Sequence, residues 1–140
     1  MERRFYVDTS VWRDYFEDRN DGIRPLGEFA FWFLKNCETN KCKILYSELI
    51  LSELREKYSD EKIMEMLSPF KKLLAIAELS SNQLLESKML ASKIKEVPQP
   101  DILHAIFARD NSAVLITRDR HFDYLRDIAE IRMPEQIIFD

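Results

Sequence analysis

Glycine is scarce in this 140-residue chain, with only Gly22 and Gly27 present. Loops that cradle phosphates need several glycines in a short run so that the backbone can approach the anion, and P-loops and dinucleotide-binding turns are therefore excluded. Histidine is equally rare, with His104 and His121 alone available to chemistry that depends on an imidazole base. The two cysteines, Cys37 and Cys42, have no nearby cysteine or histidine to complete a tetrahedral zinc set and read as structural thiols. Long hydrophobic runs are missing too. The longest uncharged apolar stretch, Phe29 to Leu34, falls far short of the roughly 20 residues needed to span a bilayer. Met1-Glu2-Arg3-Arg4 leads straight into a strand-like run without the apolar region or cleavage site of a secretory signal, so a cytoplasmic protein with no membrane partner is expected. Positive charge is not in excess either. Lys and Arg number 21 against 25 Asp and Glu, giving a formal charge of -4, so a nucleic-acid substrate has to be argued from a local site.

What is present is the composition of a globular domain, 46% hydrophobic and 33% charged. The length suits a single domain over residues 1–140. Phe5-Tyr6-Val7 reads as a strand closed by Asp8-Thr9-Ser10, three residues that favour helix N-caps, ahead of a helix carrying Val11, Trp12, Tyr15 and Phe16. The polar stretch from Glu17 to Gly22 reads as a loop insertion that Pro25 and Gly27 close. A helix over Glu28 to Asn36 follows, apolar nearly all round, whose aromatic stripe serves as core or as a partner surface. Lys43 to Tyr46 is a second strand, and Ser47 caps a helix with Leu49, Ile50, Leu54 and Tyr58. Ser59-Asp60 caps a further helix through Met64 and Leu67, a third strand starts near residue 74, and Ser80-Ser81-Asn82 opens a helix with Leu84, Leu85, Met89 and Leu90 at helical spacing. Pro98-Gln99-Pro100 is expected to stop any continuation, with helix resuming at Asp101. Ala113 to Ile116 is the most strand-like run, and a closing strand is expected near Ile137-Ile138-Phe139. Strands alternating with helices, the strands uniformly apolar, indicate an α/β fold with a parallel sheet covered on both faces.

Ligands of such sheets bind beyond the carboxyl ends of the strands, near the point where strand order reverses. Asp8 ends the first strand, Asp119 follows the strongest strand by way of Thr117, and Asp101 opens a buried helix. Glu53 stands six residues past Ser47, about one and two-thirds helical turns in. Glu48 competes with it, but five positions rotate a side chain by about 140°, so the two cannot both face one site. The neighbours Leu49, Ile50 and Leu54 put Glu53 nearer the buried stripe. Several carboxylates brought together repel one another unless a cation joins them, and hard cations such as Mg²⁺ and Mn²⁺ take oxygen ligands. One or two such ions can hydrolyse a phosphodiester through an activated water without a histidine base. Taken singly, Asp8 and Asp101 also suit helix caps, Glu53 a solvated helix face and Asp119 a turn.

Three segments together resemble the PIN-domain family over nearly the whole chain. They are Phe5-Tyr6-Val7-Asp8-Thr9-Ser10, Pro100-Asp101-Ile102-Leu103-His104-Ala105, and Leu115-Ile116-Thr117-Arg118-Asp119-Arg120-His121-Phe122. Ser47 followed by Glu53 is similar to the family's second acidic motif. The resemblance implies a three-layer α/β/α sandwich, divalent-metal-dependent ribonuclease activity with Mg²⁺ or Mn²⁺ through metal-bound water, and frequent homodimerisation. It also implies that Asp8, Glu53, Asp101 and Asp119 ligate metal, with the Ser10 and Thr117 hydroxyls orienting the carboxylates. Many small members resemble the toxin halves of VapBC toxin–antitoxin pairs, which makes a cognate antitoxin a candidate partner beside the RNA substrate. Some relatives carry another Asp two residues past the fourth acid. Here that position is His121, with Asp123 as a substitute acid. His104, one turn after Asp101, reads as a helix-packing residue, and Arg13, Arg118 and Arg120 are surface charges within reach of phosphate. Two rival readings differ in kind. One is a catalytically silent PIN-like scaffold that binds RNA or protein; the other is an aspartyl-nucleophile phosphatase, disfavoured because Ser10 stands where such enzymes resemble an Asp-x-Asp opening.

Overall fold

Short β-rich runs of two to four residues form the centre of the molecule, whose computed structural model describes residues 2–139. The strands are β1 (Arg4–Val7), β2 (Lys43–Tyr46), β3 (Leu74–Ile76), β4 (Val114–Ile116) and the two-residue β5 (Ile131–Arg132). They make one five-stranded sheet in the order β3-β2-β1-β4-β5, and every pairing is parallel. The chain starts in the middle, builds outward through β2 and β3, then crosses back to lay β4 on the other side of β1. Strand order therefore reverses between β1 and β4.

Six α-helices cover this sheet in a three-layer α/β/α arrangement: α1 (Thr9–Glu17), α2 (Leu26–Thr39), α3 (Glu48–Arg55), α4 (Asp60–Leu67), α5 (Ser81–Ala91) and α6 (Gln99–Asp110). Helices α1 and α2 pack on each other, as do α5 and α6. Side-chain caps start most of them. Asp8, Ser47, Ser59 and Ser80 each accept a backbone N–H of the helix they precede, and Ser80 with Gln83 forms a reciprocal capping box. The core joins Phe5, Tyr6 and Val7 of β1 to Trp12, Phe33, Leu34, Ile44, Leu45, Ile102, Ile106, Phe107 and Leu115. No helix among the described residues is long and apolar enough to cross a membrane.

Four local expectations are corrected. The closing strand is β5 at Ile131–Arg132, and no strand forms at Ile137 to Phe139. Ile137 and Phe139 instead pack against the core, with the Phe139 ring 6.3 Å from Phe5 and 6.1 Å from Phe33. The preceding helix already ends at Ala91, and the next begins at Gln99 rather than Asp101, so Pro98 and Pro100 start a helix instead of stopping one. Pro98 is the N-cap of α6 and Pro100 lies in its first turn, where a missing N–H costs nothing. The aromatic stripe of α2 is divided, with Phe33 in the core and Phe31 and Trp32 exposed. On α5 the polar residues Gln83 and Ser87 face inward while Leu84, Leu85 and Met89 are exposed, because Gln83 bonds Asp110 and Gln99 bonds Ser87 across the helix pair.

The loop after α1 turns sharply. Asp18 caps α1 in the left-handed region, and Gly27 packs so close that an added Cβ would lie 2.6 Å from the Asp18 Cα. Glycine is required there by close approach.

Candidate active site

Asp8 stands directly after β1, and the β1–β4 ladder runs one step past the strand, since Asp8 N donates to Ile116 O at 2.8 Å. Its carboxylate is buried and held through one oxygen. Oδ2 accepts from Ser10 Oγ at 2.8 Å, from Thr117 Oγ1 at 2.9 Å and, at 3.4 Å, from Ser10 N. Both hydroxyls named in the sequence reading thus converge on Asp8. Thr117 Oγ1 also accepts from Asp119 N at 3.1 Å, which ties the loop after β4 to the loop after β1.

Glu53 and Glu48 point apart, as helical rotation requires. Glu48 is 69% exposed and pairs with Arg55, whereas Glu53 is 27% exposed and turned toward the sheet. Glu53 Oε1 accepts from Thr9 Oγ1 at 2.7 Å, and Oε2 accepts from His104 Nε2 at 3.0 Å. His104 is fully buried, and its Nδ1 is hydrogen-bonded to the Tyr6 hydroxyl at 2.7 Å, which meets Ser47 Oγ at 2.7 Å. Burial alone would lower the His104 pKa, but the Glu53 hydrogen bond and the charges of Asp8, Glu53 and Asp101 raise it above its ordinary value. Burial opposes ionisation of Glu53, yet His104 and the Thr9 hydroxyl hold it below the usual carboxylate range. Burial raises the Tyr6 phenol. His104 therefore does more than fill space on α6: it orients Glu53.

Asp101 lies in the first turn of α6, and Asp119 caps the short 3₁₀ turn Arg120–Leu125. The Asp101 carboxyl is pushed up to about 6, first by burial and then by the charge of Asp119, with Asp8 adding to it and the two histidines opposing. Asp119 Oδ1 accepts from His121 N at 2.9 Å. The His121 ring faces both acids, with Nδ1 3.2 Å from Asp119 Oδ1 and 3.7 Å from Asp101 Oδ2.

The six side chains fall into two groups whose ligand atoms lie within 4.8 Å of one another, Asp8 with Glu53 and His104, and Asp101 with Asp119 and His121. Asp123 joins neither, because it pairs with Arg126 at 3.0 Å. Two of the three arginines considered for phosphate contact are committed elsewhere. Arg13 bonds Glu17 and Tyr58, and the half-buried Arg118 is held between Asp14 and Glu135. Arg120 lines a cavity of 430 Å³ beside Thr117 and Asp119, to which Arg24, Arg126 and Arg132 also contribute. Cys37 and Cys42 are free, buried thiols, and burial raises both pKa values.

Thr9, Tyr6 and Ser47 were not identified as site residues from sequence. Thr9 could have been found from its place beside Asp8, but the Tyr6–His104 and His104–Glu53 contacts span 98 and 51 residues and leave no local pattern.

No family model matches the sequence, and no curated protein matches it. Solved structures do match. One is the crystal structure of VapBC2 from Rickettsia felis bound to a DNA fragment from their promoter, with a TM-score of 0.67 and 17% identity over 93% of this chain and 98% of that one. FitAcB from Neisseria gonorrhoeae gives 0.63 and 18% over 95% and 99%, and PAE2754 from Pyrobaculum aerophilum 0.54 and 20% over 94% and 92%. At such identities the likeness is one of fold, and it supports a PIN-like fold.

Proposed function

We propose that this chain is a divalent-metal-dependent ribonuclease that hydrolyses RNA phosphodiester bonds at the carboxylates Asp8, Glu53, Asp101 and Asp119. The observation that supports the reading is that the four acids, carried by separate elements, fall into two clusters, Asp8 with Glu53 and Asp101 with Asp119, and that the charge of Asp8 is felt at Asp101. The donor set fits Mg²⁺ or Mn²⁺: it is dominated by carboxylate oxygen, and the Asp101 carboxyl, pushed up to about 6 chiefly by burial, is raised further by the charges of Asp119 and Asp8. When bound, such an ion supplies a lowered pKa for a coordinated water and stabilises the charge on the leaving oxygen.

The chain's own residues prepare that site. Ser10 and Thr117 fix Asp8 through Oδ2, so that Oδ1 is left for a ligand. Thr9 and His104 fix Glu53 through both oxygens, each of which keeps a lone pair. Asp101 is turned toward Asp119 and stays partly protonated near neutrality until a cation arrives.

The test is cleavage of RNA by the purified protein. It should require Mg²⁺ or Mn²⁺, stop with chelator, and be lost in Asp8→Asn and Asp101→Asn with folding intact; cleavage that survives both substitutions overturns the reading. We further read the protein as the toxin of a VapBC-type pair, assembling as a homodimer and with a cognate antitoxin, a reading supported by the likeness to VapBC2 and FitAcB. Induced expression in a bacterial host should then arrest growth, and the Asp8→Asn protein should not. Unimpaired growth with an active enzyme removes the toxin assignment and leaves the nuclease standing.

A further inference from the structure

The ring nitrogens of the two histidines face different partners among the described residues. His104 is 1% exposed and has both nitrogens committed, Nδ1 to Tyr6 and Nε2 to Glu53. His121 is 53% exposed, and its Nε2 makes no hydrogen bond among the described residues. Its Nδ1 sits between two carboxylates contributed by different elements, Asp101 of α6 and Asp119 of the loop after β4.

Those separations carry chemical information. Ligand atoms about 2.1 Å from an octahedral ion lie about 3.0 Å apart at neighbouring corners and about 4.2 Å apart at opposite ones. Nδ1 is 3.2 Å from Asp119 Oδ1 and 3.7 Å from Asp101 Oδ2, so both gaps fall in or near that range. The arrangement is also held by backbone. Asp119 caps the 3₁₀ turn by accepting the N–H of His121 itself, and the next residue, Phe122, is buried in the core. Residues 119 and 121 thus form a fixed bite. A neutral imidazole carries its one proton on either nitrogen, and the tautomer with the proton on Nε2 presents the Nδ1 lone pair to a cation.

We propose that His121 Nδ1 is a direct ligand of the divalent cation held by Asp101 and Asp119, making this a mixed oxygen–nitrogen site. The proposal rests on the metal-dependent reading above. It assigns to this chain a cation preference that four carboxylates alone would not impose. Imidazole suits first-row transition ions better than Mg²⁺, so Mn²⁺ should be preferred, and His121 is the residue that sets the preference.

Electron spin-echo measurements on the whole protein loaded with Mn²⁺ test this without reference to activity, because a coordinated imidazole nitrogen modulates the echo. Titrations with Mn²⁺ and Mg²⁺ accompany them. The expected result is nitrogen modulation in the native protein that disappears in His121→Ala, with Mn²⁺ affinity falling about tenfold and Mg²⁺ affinity by less than about threefold. His121→Asp should also abolish the modulation while narrowing the gap between the two ions. Mn²⁺ that binds without nitrogen modulation overturns the proposal and leaves the metal-dependent reading intact. Modulation that persists in His121→Ala overturns it as well, by pointing to His104. Failure to bind Mn²⁺ at all removes both the proposal and the reading beneath it. His121 is exposed at the surface, so its substitution should not prevent folding.

Discussion

Removing the most strained charge of the site should make the protein more stable while silencing it. In the absence of cations, Asp101 sits with its carboxyl pushed up to about 6 from an ordinary 3.8, by burial and by the neighbouring charge of Asp119. Once pH exceeds 6, ionised Asp101 costs the folded state about 2–3 kcal/mol relative to a carboxylate with an ordinary pKa. Asp101→Asn removes that cost but loses a favourable first-turn charge at the start of α6, worth about 0.3–1 kcal/mol. The net gain is about 1–2 kcal/mol, or roughly 3–6 °C in Tm for a chain of this size. The sign with pH is fixed by the direction of the shift. A folded pKa above the unfolded one stabilises fully below pH 3.8, and that stability is lost as pH rises through about 6. Thermal melts in chelator should therefore show the variant ahead at pH 8 and the gap closing toward pH 4. Adding Mn²⁺ to 100 times its Kd should stabilise the native protein by about 2.7 kcal/mol and the variant far less. A variant no more stable than the native protein in chelator at pH 8 would refute the reasoning.

Two further perturbations separate the scaffold from the site. Thr117→Val removes the hydroxyl that joins Asp8 to the Asp119 backbone, and urea melts should register a loss of about 1 kcal/mol while RNA cleavage falls by a larger factor. Equal modest losses in both would argue that Thr117 serves only the fold. Gly27→Ala drives a methyl against the Asp18 backbone and should cost about 2 kcal/mol in the same melts, with the specific activity of the folded fraction unchanged. A stable variant would mean that the loop after α1 can yield.

The features readable from sequence were those that local geometry dictates. Asp8 and Asp119 follow strands, so chain direction alone carries them to the sheet's carboxyl edge. Helical rotation sets Glu48 and Glu53 on different faces, as their exposures show, while the preference for Glu53 rested on its apolar neighbours and chiefly on the family resemblance. Features that depend on distant partners were not readable. His104 looks like one more residue of an apolar helix until Tyr6 and Glu53 are brought to its two nitrogens. The last strand was misplaced because two residues are too short for a pattern, and the more hydrophobic run at Ile137 to Phe139 drew the assignment. On α5 the leucines are exposed and Gln83 is buried, a reversal that only its partner Asp110 explains.

The hydrogen bond from Asp8 N to Ile116 O has a mechanical consequence. It carries the spacing of the sheet into the site, so the distance between the Asp8 and Thr117 positions can change only if β1 shears against β4. Asp101 and Asp119 are mounted on a helix start and a 3₁₀ turn outside that ladder. One half of the site is therefore an anvil and the other half a jaw. Tightening around a ligand is expected from the elements outside the ladder, α3 with Glu53, α6 and the Arg120–Leu125 turn, and amide hydrogen exchange there should slow on cation binding while the β1–β4 amides stay as they were.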